Sequence, residues 1–420
     1  MSFDQHDRTY RFMRSVYPWP DVDALSVGVL QETAREVVVT ISAREVALAQ
    51  QQLTLLAMVN VLGRLPIQLV IDAPDCRIDR SGFLSTGAGL HEAIESIADQ
   101  LGSAMLVRRD APAGPVLSVE VADGVTSHSW GLGSANWDVH IGDAEAADWT
   151  AYNPASAYAL ACHVAAEACR AWARATGRRL GLASDHRVCW LARPLAAHVQ
   201  ELWPDGPAVD SLTLPAIDWV SAGAVNQAAL AVLAEMPVPL HGAVYDNKEL
   251  DPPDLNRSLL SFRADMGVAK AVVAARCGDA LLPFVDKYPE GGHADNGRFI
   301  VSGTDDVRVR PALQRLRPDE LIVIATEGAA ARVTHHRLDG VHICAGCQYE
   351  EVPETTEPFP TCVATSGMAG VVGAVRVLQV AAGIDPPRRT DLYTLRMGPP
   401  VGVEESCPPA RPDCDICGRR

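Results

Sequence analysis

The sequence predicts an α/β protein whose mostly parallel sheets are arranged in two halves. Two strand–helix–strand patterns predict it, one near the start of the chain and one in the middle, because strands that alternate with helices are typical of parallel sheets. The composition agrees: 48% of the 420 residues are hydrophobic, which is enough for two or three domains of common size.

The first half begins with VVVTISA (37–43) as a buried strand, residues 45–61 as a helix and IQLVIDAPD (67–75) as a second strand. We expect a helix, a strand and an alanine-rich helix to follow, at 91–101, 116–121 and 154–176.

The second half repeats this plan. IDWVSAG (217–223) is predicted to be a strand that runs into a turn of small residues, 227–235 a helix and HGAVYDN (241–247) the next strand. The proline- and aspartate-bearing segment 203–215 is the expected linker. Two such units also arise independently in α/β proteins, so internal duplication is one of two interpretations.

Composition argues against several classes of protein. A formal net charge of −16 opposes binding to nucleic acid, which normally requires a basic face. The apolar stretch 371–382 is broken by Gly373 and Arg376 and is shorter than a bilayer span. The 11 cysteines and the lack of a leader pattern in MSFDQHDRTY are typical of a reducing compartment. We therefore expect a cytoplasmic protein that binds neither membrane nor nucleic acid.

Two CxxC pairs, Cys344/Cys347 and Cys414/Cys417, frame the C-terminal region. Each pair can supply two thiolates from one turn, and two pairs complete the tetrahedral site that Zn²⁺ prefers. The sequence therefore predicts a structural zinc site, which leaves no position for a substrate. The alternative is four unrelated buried thiols or disulfides.

The turn from Ser221 to Asn226 joins a strand to a helix, where backbone N–H groups and the helix dipole can bind a nucleotide's phosphates. Asp246 ends the next strand, where a carboxylate can accept hydrogen bonds from ribose hydroxyls. The alternative is a turn of small residues that serves packing only.

Further motifs follow in order: LNR (255–257), GVAK (267–270), TDD (304–306), the first CxxC pair, PTC (360–362) and the terminal CxxC pair. Together with the strand, the turn, the helix and the strand that ends in aspartate, this order resembles the ThiF/MoeB superfamily of adenylating enzymes over residues 215–420. The resemblance implies a Rossmann-like adenylation domain that binds ATP and Mg²⁺.

The resemblance also implies roles for individual residues. Gly223 would lie in the phosphate-binding turn, and Asp246 would bind the ribose. Asn256, Arg257 and Lys270 would bind the nucleotide, with the two cations neutralising charge that develops on the phosphates. Taken singly, either cation is better explained as a solvated surface charge.

Asp305, in VSGTDDVRVR, would hold Mg²⁺ against the phosphates, and Asp306 stands where the family usually has asparagine. Carboxylate oxygens suit this ion, and the end of a strand is the mouth of a nucleotide crevice. The alternative is a helix N-cap followed by an acid in the first turn.

Cys362, in PFPTCVATSGMAG, is the candidate nucleophile, since relatives that form a thioester or acyl disulfide have a cysteine at a similar place. A thiolate could displace AMP from an acyl adenylate. The alternative is a spectator thiol. Cys407 is a weaker rival, whereas Cys162 and Cys169 lie on an apolar helix and are expected in the core.

The sequence departs from the family pattern at several positions. Ser221, Ala224 and Asn226 stand where glycines are usual, Lys248 where a second acid often follows, and Ser258 where a glutamine is usual. A missing glycine matters where the backbone needs a positive φ or a close approach to phosphate.

Residues 1–205 lack the equivalent motifs and resemble the inactive adenylation half of two-part activating enzymes, whereas residues 206–420 resemble the active domain. Arg11 and Arg14 are candidates for a charge donated to the active half; the alternative is a pair of ordinary helix-surface residues. One chain would then form an internal pseudo-dimer, and a homodimer is the alternative.

The resemblance thus implies ATP- and Mg²⁺-dependent adenylation of the C-terminal glycine of a ubiquitin-like protein or sulfur carrier. A thioester on Cys362 and transfer to a conjugating enzyme would follow. The alternatives are a peptide-modifying or sulfur-carrier adenylyltransferase and a catalytically inactive scaffold. The degenerate turn favours the scaffold, whereas retention of Asp246, Arg257, Lys270 and Asp305 argues against it.

Overall fold

The computed structural model describes the greater part of the chain. The described residues are Thr33, 36–85, 89–102, 106–107, 117–121, 130–142, 149–179, 198–288, 299–327, 330–338, 343–349, 361–383, 392–396, 402–406 and 409–418. Arg11, Arg14 and Cys407 lie outside these ranges, so the expectations for them stay predictions.

The first sheet is built from the N-terminal part of the chain. Its strands are β1 (Val38–Ser42), β2 (Gln68–Asp72), β3 (Leu106–Val107), β4 (Leu117–Val121), β5 (Trp130–Ala135), β6 (Asp138–Gly142) and β7 (His198–Glu201). They lie in the order β3-β2-β1-β4-β5-β6-β7. The strands from β3 to β5 are parallel, and β6 and β7 continue the sheet in antiparallel pairs.

The second sheet repeats this order of strands and adds an eighth strand at its end. Its strands are β8 (Ile217–Val220), β9 (His241–Tyr245), β10 (Ala280–Phe284), β11 (Phe299–Ser302), β12 (Glu320–Glu327), β13 (Ala330–His336), β14 (Leu392–Arg396) and β15 (Gly402–Ser406). They lie in the order β10-β9-β8-β11-β12-β13-β14-β15, parallel as far as β12 and antiparallel beyond it. The predicted α/β class with mostly parallel sheets is confirmed, whereas the division into an inactive and an active half stays a prediction.

Helices fill the space between and around the sheets. They are α1 (Ala49–Leu62), α2 (Leu90–Leu101), α3 (Pro154–Arg179), α4 (Ala224–Ala234), α5 (Lys270–Ala275), α6 (Val309–Arg315), α7 (Ala345–Tyr349) and α8 (Val363–Ala381). Helix α3 packs on the first sheet, α8 packs on the second, and the two helices pack on each other and on α4. The largest core is therefore shared by both sheets. A second, smaller core includes side chains of β8, β11 and β12 and consists of Val220, Ile300, Leu313, Leu321, Val323, Ala345 and Tyr349.

Small residues bring α8 close to its neighbours. Gly367 lies against the sulfur of Cys162 on α3, and a Cβ at Gly370 would collide with Ala228 on α4. Among the described residues, α8 is the one helix long and apolar enough to cross a membrane, and 89% of that segment is buried inside the protein. The helix begins eight residues before the apolar stretch 371–382 considered in the sequence, and its place in the core accounts for the composition.

A buried carboxyl group joins the N-terminal half to α4. Glu235, directly after α4, is 7% exposed, and its Oε1 accepts a hydrogen bond from the Leu84 amide at 2.9 Å. The absence of a side chain at Gly82 leaves room for this carboxyl group. Burial raises the pKa of Glu235 to about 7, because the low-dielectric interior disfavours the charged form.

We expect the fold to lose stability as the pH rises through the pKa of Glu235, because the buried carboxyl group must then carry a charge. Because the folded-state pKa of Glu235 lies above its ordinary value of 4.5, the folded protein holds this proton more tightly than the unfolded chain does. The free energy of unfolding should therefore fall by about 2 to 3 kcal/mol between pH 5 and pH 8 on account of this group. Chemical denaturation of wild type and Glu235→Gln measures it. Equal pH slopes in the two proteins would contradict this expectation.

Candidate active site

The turn between β8 and α4 is held by the predicted ribose-binding acid. Asp246 follows β9 directly, and its Oδ2 accepts a hydrogen bond from the Ala222 amide at 2.8 Å. Its Oδ1 accepts from the Lys248 amide at 2.9 Å. Oδ2 also lies 3.5 Å from the Ser221 hydroxyl, whereas Oδ1 retains a second lone pair. Asp246 can thus support the turn and still accept a hydrogen bond from a ligand hydroxyl.

The turn places its backbone strain on Ser221, where the glycine expected from the family pattern is missing. Ser221 has φ +76°, a conformation that costs a residue with a Cβ roughly 1 to 2 kcal/mol. Its hydroxyl accepts a hydrogen bond from the Gly223 amide at 3.1 Å, which offsets part of that cost. Gly223 itself is extended, with φ −73°. The conformational need for glycine therefore falls on position 221, not on the predicted site residue Gly223.

Asn226 also replaces a glycine of the family pattern, and its side chain binds the end of β8. Its Nδ2 donates to the carbonyl oxygens of Val220 and Ser221 at 3.1 and 2.7 Å. Its Oδ1 lies against Gly303, where a Cβ would collide with it. The helix begins at Ala224, three residues before the predicted start, because the side chain of Asn226 stabilises the turn from within the first helical turn.

Lys270 and Arg257 are joined by a carboxylate that sequence reasoning missed. The Lys270 Nζ lies 2.7 Å from Oδ2 of Asp254, and the Arg257 Nη2 lies 3.7 Å from Oδ1 of the same group. Asp254 is 6% exposed. The backbone of Lys270 donates to the carbonyl of Lys248 at 2.9 Å, which places it beside the segment that follows Asp246. The only sequence signal was that Asp254 directly precedes the LNR run.

Asn256 is buried with an unsatisfied amide. It is 3% exposed, and in the described part of the chain neither its Nδ2 nor its Oδ1 has a hydrogen-bond partner. Leaving a buried amide unpaired costs about 1 to 3 kcal/mol. Such groups are uncommon in folded proteins and fit a site where a polar ligand supplies the missing partner. The nucleotide-binding role that the resemblance implies for Asn256 stays a prediction.

The two aspartates after β11 have different surroundings. Asp305 is exposed, and it follows the strand that pairs with β8. The carboxylate of Asp306 accepts hydrogen bonds from the Arg308 Nε and Nη2 at 2.9 and 3.0 Å. These bonds lower the pKa of Asp306. Asp305 is thus the carboxylate available for a cation, whereas Asp306 is engaged by its neighbour.

Cys362 lies at the N-terminus of α8. Like Asp246 and Asp305, it lies toward the edge of the second sheet at which the parallel strands end. Gly373 contacts Ile324 of β12, and three residues later Arg376 hydrogen-bonds His335, which pairs with Ile322. The helix therefore runs toward the N-terminal end of β12, and its own N-terminus lies toward the carboxyl ends of the parallel strands.

The surroundings of Cys362 favour a thiolate. Its pKa falls to about 6, because the Cys169 thiol donates to it and the amides of Ala364 and Thr365 and the Thr365 hydroxyl add further donors. The core position predicted for Cys162 and Cys169 is observed, at 0% and 7% exposure. Cys169 comes from α3, so the N-terminal half contributes directly to the reactivity of this thiol.

The pKa of Cys362 predicts its reactivity. Alkylation of Cys362 by iodoacetamide should rise with a midpoint near pH 6, since the thiolate is the nucleophile. Cys169→Ala removes the principal donor and should move that midpoint upward, whereas Cys162→Ala, on the same helix, should leave it in place. Mass spectrometry of the alkylated peptide gives the rates. A wild-type midpoint near 9 would contradict the geometry.

The four cysteines of the two CxxC pairs converge. Their sulfur atoms all lie within 4.8 Å of one another, with Cys344 3.5 Å from Cys347 and 3.4 Å from Cys414, and Cys347 3.4 Å from Cys417. A tetrahedral Zn²⁺ site with metal–sulfur distances of about 2.3 Å has sulfur–sulfur edges of about 3.8 Å. The cluster therefore fits a metal ion.

The remaining packing keeps the cluster closed. Gly346, between the first two cysteines, lies against Ile416 and the sulfur of Cys414, and a Cβ there would collide with Ile416. The Arg411 amide donates to the Cys347 sulfur at 3.2 Å. These contacts join α7 to the C-terminal segment, and the four sulfur atoms would by themselves complete a tetrahedral site.

Comparisons with known proteins find a structural likeness only. The sequence matches no protein-family model and no curated protein. Similar solved structures include E. coli MccB with ATP, at 13% identity and a TM-score of 0.42 over 69% of this chain and 98% of that chain. E. coli MccB with succinimide gives 15% identity and a TM-score of 0.41 over 50% and 67%. The structure of PaaA is 15% identical to this chain, with a TM-score of 0.37, and the match covers 47% of this chain and 64% of PaaA.

Proposed function

We propose that this protein is an ATP- and Mg²⁺-dependent adenylyltransferase that activates the C-terminal glycine carboxylate of a protein or peptide. The supporting observation is the set of charged groups at the carboxyl ends of β8, β9 and β11. Asp246 contacts the turn after β8, Asp254 joins Lys270 to Arg257, and Asp305 follows β11. In open parallel sheets this edge is where ligands bind.

Each group has a role in acyl adenylation. Asp246 accepts hydrogen bonds from the ribose, and Asn256 pairs its free amide with the nucleotide. Lys270 and Arg257 neutralise the charge that develops as the substrate carboxylate attacks the α-phosphate and pyrophosphate leaves. Asp305 binds Mg²⁺, an ion that prefers oxygen ligands and is usually held by only one or two carboxylates.

Cys362 is the proposed acceptor of the activated acyl group, and a ubiquitin-like protein is the proposed carrier. The thiolate attacks the acyl carbon of the adenylate, a carbon–sulfur bond forms, and the bond to AMP breaks with AMP taking the electron pair. A pKa of about 6 keeps Cys362 mostly ionised at neutral pH. The thioester would then pass to a conjugating enzyme or a sulfur donor.

We assign the four-cysteine cluster to Zn²⁺ with a structural role. Four thiolates are the donor set that this ion takes in closed sites, and bound Zn²⁺ adds its binding free energy to folding. The ion would hold the C-terminal segment against α7 and α6, where Gln314 accepts a hydrogen bond from the Ala345 amide at 3.2 Å.

One observation favours the alternative of an inactive scaffold. Asp254 already pairs with both Lys270 and Arg257, which reduces the positive charge that they offer to phosphates. The adenylyltransferase and scaffold hypotheses differ in a measurable way, because an inactive scaffold does not require Mg²⁺ at Asp305.

ATP–pyrophosphate exchange tests the proposal. The zinc-loaded protein is assayed with ubiquitin-like proteins, sulfur carriers and synthetic peptides that end in glycine, each with a free and an amidated C-terminus. Exchange should need Mg²⁺ and the free carboxylate, and Asp305→Asn should lower it by about 10²-fold. Asp210→Asn, at an exposed site in the linker, is the matched control. Equal exchange with amidated carriers, or full exchange in Asp305→Asn, would contradict the proposal.

A further inference from the structure

The loop that carries Asn256 and Arg257 is held by a buried arginine from the N-terminal half. Arg64, two residues after α1, is 3% exposed. Its Nη1 donates to the carbonyls of Leu255 and Ser261 at 2.9 and 3.1 Å, and its Nη2 donates to the carbonyl of Leu259 at 3.0 Å. One guanidinium thus binds three carbonyls across the loop 255–261.

Asn60, one helical turn earlier, completes this contact. Its Oδ1 accepts from Arg64 Nη2 at 2.8 Å, and its Nδ2 donates to the carbonyl of Leu259 at 3.2 Å. The guanidinium also lies over the ring of Phe262, 5.8 Å from its centre. A planar guanidinium can satisfy several carbonyls at fixed angles, which a lysine ammonium cannot do in the same geometry.

The same loop is also bound by Gln227 of α4. The Oε1 of Gln227 accepts from the Leu260 amide and the Ser261 hydroxyl at 3.3 and 2.8 Å. Its Nε2 donates to the carbonyl of Ala222, in the turn after β8, at 2.9 Å. Arg64 and Gln227 together therefore hold the loop, and Gln227 joins it to the turn where the phosphates are proposed to bind.

We infer that Arg64 is a positioning residue through which the N-terminal half orders the nucleotide site. It touches no proposed ligand; it fixes the backbone on either side of Asn256 and Arg257, so that both side chains are held ready for ATP. The inference rests on the proposed function, and it gives the N-terminal half a physical role that needs no nucleotide site of its own.

The test compares Arg64→Leu and Arg64→Lys with Leu55→Ala. Leu55 is a buried residue of α1, so its truncation destabilises the fold without touching the loop. In Arg64→Leu we expect amide hydrogen exchange at Ser258, Leu260 and Ser261 to speed up at least tenfold relative to the amides of β9, and ATP affinity to fall at least tenfold. Arg64→Lys should restore part of the loop protection and part of the ATP affinity. Leu55→Ala should change neither the loop exchange relative to β9 nor the ATP affinity.

The outcomes separate this inference from the proposed function. Unchanged loop exchange in Arg64→Leu, or equal loss of ATP affinity in Leu55→Ala, would overturn the positioning role. A second outcome is that wild type binds no ATP, although loop exchange still speeds up in Arg64→Leu. This outcome would overturn the proposed function and leave the structural coupling between Arg64 and the loop in place. If Arg64→Leu does not fold, loop exchange in Arg64→Lys decides, because an ammonium cannot replace all three carbonyl contacts, and wild-type exchange rates there would overturn the inference.

Discussion

Replacing Lys270 with methionine is expected to slow ATP–pyrophosphate exchange by about 10²- to 10³-fold, the loss typical of removing one preorganised group that stabilises developing charge. Methionine keeps much of the side-chain length and removes the charge. Because Lys270 lies 2.7 Å from Asp254, the substitution also removes the nearer cation of that buried carboxylate and, among the residues that the structure describes, leaves it paired with Arg257 at 3.7 Å. Some loss of folding stability should therefore accompany the loss of activity.

Two further variants separate these effects. Lys270→Arg keeps an ion pair with Asp254 and should keep stability while losing part of the exchange rate, since a guanidinium places its charge differently. Lys287→Met removes an exposed lysine and should change neither quantity. Full exchange activity in Lys270→Met, measured on protein that is folded and holds zinc, would remove Lys270 from the proposed site.

Replacing Cys414 with serine is expected to remove most of the bound zinc and to lower the thermal midpoint. Wild type should hold one ion per chain, because four sulfur atoms converge within 4.8 Å. A stability loss of about 3 kcal/mol would lower the midpoint by roughly 3 to 4 °C in a chain of 420 residues, since the entropy of unfolding is about 2.1 cal/mol/K per residue. Elemental analysis and differential scanning calorimetry give the two values.

Cys277→Ser provides the matched control for this variant. Cys277 is a half-buried free cysteine outside the cluster, so its replacement should leave the zinc content at one ion per chain. Chelation of wild-type protein should reproduce the stability loss of Cys414→Ser. Purified wild type without zinc, or Cys414→Ser with a full ion, would exclude the proposed metal site.

Local patterns allowed the sequence to predict the centre of the second half. The apolar strand β8, the small-residue turn and the acid after β9 each depend on a few neighbouring residues, so their order could be read directly. The CxxC spacing likewise predicted the convergence of Cys344, Cys347, Cys414 and Cys417, because two thiolates per turn already define half a metal site.

Contacts between distant segments could not be predicted in this way. Cys169 and Cys362 meet through the packing of α3 on α8, and Arg64 reaches a loop about 190 residues later. The pairing of Asp254 with both cations depends on how the start of α5 meets the preceding 3₁₀ turn. The antiparallel strands from β13 to β15 were also missed, since no paired hairpin signal marks them.

Equilibrium binding of ATP to the purified protein tests the central claim most directly, because it requires no carrier. Calorimetric titration with ATP and Mg²⁺ should show one saturable site in wild type. In Asp246→Asn, which keeps an acceptor for the Ala222 amide but loses the charge, affinity should fall at least tenfold, by about 1.4 kcal/mol or more. The same affinity in both proteins, or no binding to folded wild type at millimolar ATP, would contradict a nucleotide site at the carboxyl ends of β8, β9 and β11.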